Sequence, residues 1–245
     1  MHSFPGSNLF TRRPEGFPKL ITRLKTPSYP TGNDILAGLI LKYDLSDKVS
    51  YPGHGTLLRD LNGGLYNGTV FNNPVFEKVE RFETLQFTAS LLQYVGLPVT
   101  GLPSGNAPRS VSVWFKGNNV AIPGLVFTYG AANIGQAFSV GYFSGLLVFS
   151  AFGLNLFGPS AVNGVWYNLS ATYNGTTARL YLNGIQINSG DFAINTINSV
   201  AYIGRQVNGG EYMSGNVSKV LFYNRALSAS EISQLFWANN GRYGI

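Results

Sequence analysis

The chain has no cysteine and only two histidines, His2 and His54. The first absence excludes a disulfide framework, a thiolate zinc site and a thiol nucleophile. The second leaves too few imidazoles for a histidine metal centre. Acidic side chains are missing where catalysis would want them, since between Glu83 and Asp191 there is not one Asp or Glu. Hydrolysis of a sugar chain ordinarily needs two carboxylates flanking the scissile bond, and the centre of this chain cannot supply them. Charged residues make up 11% of the sequence, against about 25% in an average domain. No apolar window approaches the length of a membrane span. MHSFPGSNLF, interrupted by Pro5 and Gly6, lacks the apolar run of a cleavable signal. Together these shortages argue for a protein that binds or builds. No catalytic residue, metal ligand or cofactor is expected.

What the chain does have is turn and strand chemistry: 30 glycines, 17 phenylalanines and 14 tyrosines among plentiful Asn, Ser and Thr. The segment 165–187, VWYNLSATYNGTTARLYLNGIQI, reads as a β-meander. Asn174-Gly175 and Asn183-Gly184 each offer the pair of positive φ angles that a two-residue type I′ hairpin requires, and alternating apolar residues flank both. Further strands are predicted at 36–43, 69–71, 85–88, 91–97, 110–116, 125–129, 137–143, 145–150, 200–204 and 215–223. So many short strands point to an all-β, two-sheet antiparallel sandwich. In SVSVWFK, Val111, Val113 and Phe115 should face one side of the sheet while Ser112, Trp114 and Lys116 face the other. One helix is signalled near the C-terminus. Ser228 is its N-cap, Glu231 completes a capping box, Leu227 can staple onto Ile232, and the end is expected near Ala238 or Asn239.

Residues 1–34 differ from the rest. Pro5, Pro14, Pro18, Pro27 and Pro30 break any periodicity, and within residues 1–33 five basic residues against Glu15 alone carry four of the chain's six net positive charges. This segment reads as an extended basic arm, followed by one domain over 35–245. Single apolar residues (Phe4, Phe10, Phe17, Leu20) and the basic Arg12, Arg13, Lys19, Arg23 and Lys25 suit docking onto another protein, the former in grooves and the latter on an acidic surface. Nucleic acid is disfavoured, because the basic groups are diluted and no nucleic-acid motif lies nearby.

Several segments resemble the concanavalin A-like and laminin-G-like jelly rolls, which also include pentraxins and many β-glucanases. They are SVSVWFKG, GVWYNLSATYNGTTARLYLNGIQI, VAYIGR and SGNVSKVLFYNRALSASEI, and the resemblance covers about residues 36–245. It implies a jelly-roll sandwich. LILKYDLSDKVSYPGHGTLLRDLNGGLYNGTVFNNPVF is similar to a variant of this module found in particle proteins of tailed phages and other large viruses. Calcium-binding members place acidic residues where this chain has Ser218 and Lys219, and the glucanase run Glu-x-Asp-x-Glu occurs nowhere.

These readings lead to a non-enzymatic virion structural protein, a capsid or tail decoration held to other virion proteins by its arm and present in multiple copies at the virion surface. The alternative is an extracellular lectin or adhesin recognising host glycans. For that role the candidate contacts are Gln206, Asn208, Glu211 and Tyr212 in the loop after VAYIGR, with Tyr129 and Asn133 as a second group. Amides and carboxylates read sugar hydroxyls, and tyrosine rings stack on pyranose faces. Trp114 and Trp166 are assigned to the core or a sheet face. Glu77, Glu80 and Glu83, interleaved with Lys78 and Arg81, read as a solvated strand edge.

Overall fold

A computed structural model describes residues 34–245, so the arm residues Phe4, Phe10, Arg12, Arg13, Phe17, Lys19, Leu20, Arg23 and Lys25 lie outside the described residues. In chain order the strands are β1 (Leu39–Asp44), β2 (Leu57–Leu58), β3 (Gly68–Phe71), β4 (Val75–Val79), β5 (Phe82–Phe87), β6 (Tyr94–Gly96), β7 (Arg109–Gly117) and β8 (Gly124–Gly130). They continue as β9 (Ala137–Phe143), β10 (Leu146–Ser150), β11 (Asn155–Ser160), β12 (Trp166–Tyr173), β13 (Thr177–Leu182), β14 (Ile185–Asp191), β15 (Val200–Ile203) and β16 (Gly215–Tyr223), and one α-helix, α1 (Ala229–Tyr243), follows.

Two antiparallel sheets result. The first runs β14-β13-β12-β7-β16-β5-β4, and β16 is long enough to pair with β5 along its first half and with β1 along its second. The second runs β11-β10-β9-β8-β15-β6-β3-β2. Their inner faces meet in one core, to which β7 contributes Val111, Val113 and Phe115 while Phe138, Val140 and Tyr142 come from β9. The period-2 alternation read from SVSVWFK is therefore realised. Trp114 points the other way, with Phe82, Trp166, Phe236 and Tyr243, so the first sheet is apolar on both faces and α1 covers the outer one.

The helix starts as expected. Ser228 caps it with a complete capping box, and Arg225 grips Glu231 with two hydrogen bonds of 3.0 and 2.6 Å. That bidentate guanidinium, against the opposing effect of burial and with help from Ser228, holds the Glu231 carboxyl down to about 2, so the latch stays ionised well into acid. The helix runs past the expected end, through Asn239, Asn240 and Gly241, which are weak helix formers. Tertiary contacts carry it. Asn239 accepts a 2.9 Å hydrogen bond from Lys219, and Tyr243 stacks on Trp114 at 3.8 Å. Lys219 is itself buried and bonds Asp34 at 2.7 Å. The ammonium thus ties the start of the described chain to its last helix. Burial works against the charge on Asp34, but Lys219 and Lys42 outweigh it and hold that carboxyl below its ordinary range.

Of the two Asn-Gly turns, one has the expected form. Leu182 pairs directly with Ile185, and Asn183 (φ 50°) and Gly184 (φ 80°) make the two-residue turn. At Asn174-Gly175 only the glycine has positive φ. The loop is longer, and the Asn174 side chain accepts from the backbone N–H groups of Thr176 (3.0 Å) and Thr177 (2.7 Å). An Asx turn replaces the type I′ turn there because the side-chain amide mimics the missing backbone partner. Strands β2, β4 and β11 had no clear sequence signal. Strand β4 carries Glu77 and Lys78 and is the edge of the first sheet, where interleaved charges discourage pairing with another chain.

Candidate functional site

Because α1 covers the outside of the first sheet, the outside of the second is the broad strand surface left uncovered among the described residues. Along β8, β9 and β10 the side chains alternate between the core and this face. Thr128, Ser139 and Ser150 replace the large apolar residues that point inward, and Gly141 lies opposite Leu125. Thr128 and Ser139 are fully buried beneath the Gln206 side chain, whereas beside Ser150 the loops leave room above the sheet.

That room forms a depression of about 240 Å³ lined by Leu125, Phe143, Val148, Ser150 and Asn155 from the strands, and by Ile134, Phe152, Gly153, Gln206, Asn208 and Glu211 from three loops. Its base is apolar strand surface and its walls alternate aromatic or aliphatic groups with amides and a carboxylate. The loop 204–213 is folded by its own polar groups. Gly209 N–H donates to Gln206 O at 3.0 Å, and Gly210 N–H donates to the Asn208 side chain at 2.9 Å. The Gln206 side chain is buried and acts as a hub. Its Oε1 accepts from Val207 N–H (2.9 Å) and Thr128 (3.2 Å), and its Nε2 donates to Glu211 at 3.2 Å. Thr128 is joined in turn to Ser139 at 2.6 Å. A chain of fixed bonds therefore runs from the sheet to Glu211, whose backbone is left-handed (φ 50°). Non-glycine residues seldom occupy that region, and where the surroundings hold them there they often serve a ligand.

A wider groove of about 610 Å³ continues on the same face, lined by Asn67, Thr69, Phe71, Tyr94, Thr100, Ser199 and Tyr202 among others. Phe71 and Tyr94 stack in parallel across it, with centroids 4.6 Å apart.

The structure thus gathers Gln206, Asn208 and Glu211 around one depression. Tyr212 lies just outside it, edge-on to Tyr94 at 6.1 Å. Asn133 is exposed and bonds Gln136 at 3.1 Å, while its neighbour Ile134 reaches the depression instead. Tyr129 needs correction as a ligand contact, because it is 0% exposed. Its hydroxyl accepts from Arg109 at 2.6 Å and donates to Pro103 O at 3.0 Å. Burial pushes that phenol's pKa far up, with only part offset by Arg109. A ring enclosed by protein cannot stack on a sugar. In the other direction, Phe143, Ser150, Phe152 and Asn155 line the depression without having been singled out. Period-2 alternation assigns Ser150 and Phe143 to the outer face, but only the closure of the sandwich shows which outer face stays open.

Among the described residues no group of three or more His, Asp or Glu side chains is placed to hold a metal ion, and no helix is long and apolar enough to cross a membrane. The carboxylates Asp34 and Asp44, the former tied to Lys219 and Lys42 and the latter to Arg242, sit beside α1 on the opposite side of the sandwich.

A family model described as the concanavalin A-like lectin/glucanases superfamily matches residues 92–233. No curated protein matches the chain in sequence. Among solved structures, domain 4 of AbnA, an extracellular arabinanase from Geobacillus stearothermophilus in complex with arabinotriose, is 20% identical with a TM-score of 0.63, and the match covers 81% of this chain and 98% of that domain. The binding domain of Paraclostridial Mosquitocidal Protein 1 is 16% identical with a TM-score of 0.64, covering 81% of this chain and 52% of the other. The ligand-binding domain of botulinum neurotoxin serotype D, in complex with N-acetylneuraminic acid, is 13% identical with a TM-score of 0.61, covering 81% and 50%.

Proposed function

Because the chain belongs to the concanavalin A-like lectin/glucanase superfamily, we propose that it is a non-enzymatic carbohydrate-binding domain whose saccharide lies on the open face of the second sheet. The observation that carries this reading is the depression bounded by Phe143, Phe152, Asn155, Asn208 and Glu211. It sets an apolar surface for a sugar's C–H face beside fixed amide and carboxylate groups for its hydroxyls, as saccharide recognition demands. The structural neighbours solved with arabinotriose and with N-acetylneuraminic acid support the choice of ligand class. Binding is preferred to hydrolysis because Glu211 is the one carboxylate lining this depression, and acid-base cleavage of a glycosidic bond ordinarily uses two.

The test is glycan-array screening followed by calorimetric titration of the best ligand. Phe152→Ala and Asn155→Ala should each weaken binding by about tenfold, the range of one lost stacking or hydrogen-bonding contact, with an unchanged melting temperature. A flat array, or affinities untouched by both changes, would remove the site from consideration.

The finer reading, display on a virion surface with residues 1–34 docked onto other virion proteins, rests on the N-terminal resemblance and on the basic, proline-broken composition of the arm. It predicts that a chain lacking residues 1–33, which keeps Asp34 on Lys219, fails to co-sediment with particles while keeping its glycan affinity. Co-sedimentation undiminished by the deletion would refute the anchoring role. An extracellular setting is the alternative.

A further inference from the structure

Arg205 follows β15 and points back over the open face, where its guanidinium is enclosed by three tyrosine rings drawn from separate parts of the chain. The guanidinium carbon lies 4.7 Å from the centroid of Tyr94, 4.8 Å from that of Tyr202 and 5.3 Å from that of Tyr212. Gly209, at φ 85°, lets the loop close against it, since a Cβ there would come within 2.5 Å of Nη2. Among the described residues no hydrogen bond or ion pair reaches this guanidinium, and its Nε is buried without a partner. The contrast with Arg109, Arg225 and Arg242 is sharp, since each of those donates to carbonyl or carboxylate oxygens. Glu211, six residues further on, gives its carboxylate to Gln206 instead.

A buried N–H without an acceptor costs free energy, and rings packed around a guanidinium from three sides strip part of its water. Such a group is preorganised for a planar or tetrahedral oxyanion, which its fork of donors can meet with two parallel hydrogen bonds. Its place identifies the ligand. Gln206, the next residue, lines the smaller depression, while Tyr94 and Tyr202 line the wider groove, so a saccharide passing from one to the other crosses Arg205.

We propose that Arg205 is an anion-binding residue and that the ligand of this face is an acidic saccharide bearing a carboxylate or sulfate group. The inference rests on the saccharide reading above and names the ligand's chemical class. Its experiment is titration of the full chain with a hexuronate oligomer, a sialylated oligosaccharide and a sulfated oligosaccharide, each beside its neutral counterpart, with polyglutamate as a non-saccharide polyanion. At least one acidic sugar should bind tenfold or more tightly than its neutral counterpart, with an affinity that falls as salt is raised. Arg205→Gln should abolish that preference, and Arg205→Lys, which keeps the charge but not the planar fork, should not restore it. Both variants are to be checked by circular dichroism, and the salt dependence of the unaltered protein supplies a readout that needs no variant. Neutral and acidic sugars binding equally well, or an Arg205→Gln protein with undiminished preference, would overturn this inference and leave the saccharide reading standing. Polyglutamate binding as tightly as the acidic sugars would overturn the saccharide half of it. Binding of no saccharide at all would overturn the proposed function itself.

Discussion

Replacing Arg109 by methionine should destabilise the domain by about 3–5 kcal/mol, the range for removing one partner of a buried charged network. Arg109 is 0% exposed and pairs with no carboxylate among the described residues. Its Nε donates to Ala107 O (2.8 Å), Nη1 to Pro103 O (3.2 Å) and the Tyr129 hydroxyl (2.6 Å), and Nη2 to Gly105 O (2.8 Å). Rings of Tyr129, Phe138 and Tyr173 surround it at 5.7 to 5.9 Å. Methionine matches the stem in volume but takes the only donor from Ala107 O among the described residues, leaves Pro103 O and Gly105 O with the Tyr129 hydroxyl and the Thr196 N–H alone, and removes the donor to Tyr129, so the loop 103–107 loses much of what shapes it. Lysine should recover only part of the loss, since a point charge cannot reach three directions at once. Urea titration followed by tryptophan fluorescence gives the answer, and a methionine variant within about 1 kcal/mol of the parent, well below the cost of such an orphaned network, would show that water replaces the guanidinium.

Trp114→Ala should cost a similar 3–5 kcal/mol, the usual range for truncating a buried tryptophan. The indole, 2% exposed, is the platform on which α1 rests, with Tyr243 stacked at 3.8 Å and Phe236 at 5.8 Å. The loss should be uneven. Amide exchange should accelerate first across residues 229–243, because Asn239, Asn240 and Gly241 have little helical propensity of their own. Protection in that segment equal to the parent's would mean that Asn239 and Ile232 suffice to hold the helix. Trp114→Phe, which keeps a ring over Tyr243, should lose much less. Neither change touches the open face of the second sheet, so saccharide binding by the folded fraction should be unaltered.

The elements that were legible in the sequence are those that local chemistry dictates. Strands β7, β9, β12 and β16 announce themselves by alternation and β-branched or aromatic content, the Asn183-Gly184 turn by its need for two positive φ angles, and the start of α1 by Ser228 and Glu231. What was illegible depended on distant partners. The short strands β2, β4 and β11 exist because a neighbouring strand offers an edge. Asn174 looks identical to Asn183 in sequence yet spends its side chain on an Asx turn. Tyr129 looks like a surface aromatic until the buried guanidinium of Arg109 is seen beside it. Of the candidate loop, Gln206, Asn208 and Glu211 could be chosen by composition, whereas Phe143, Ser150, Phe152 and Asn155 join them only across four segments of chain.

By itself, then, the sequence determined the class of the fold and the scarcity of catalytic groups, because alternation, turn propensity and the absence of cysteine and central carboxylates are properties of residues taken singly or in short runs. Which sheet face stays open was decided by the tertiary structure. The helix could have screened either sheet, and its own residues do not say which. Trp114, Trp166 and Lys219, all on the outer face of the first sheet, draw it there, and the outside of the second is left to the depression, the groove beside it and the tyrosines that enclose Arg205.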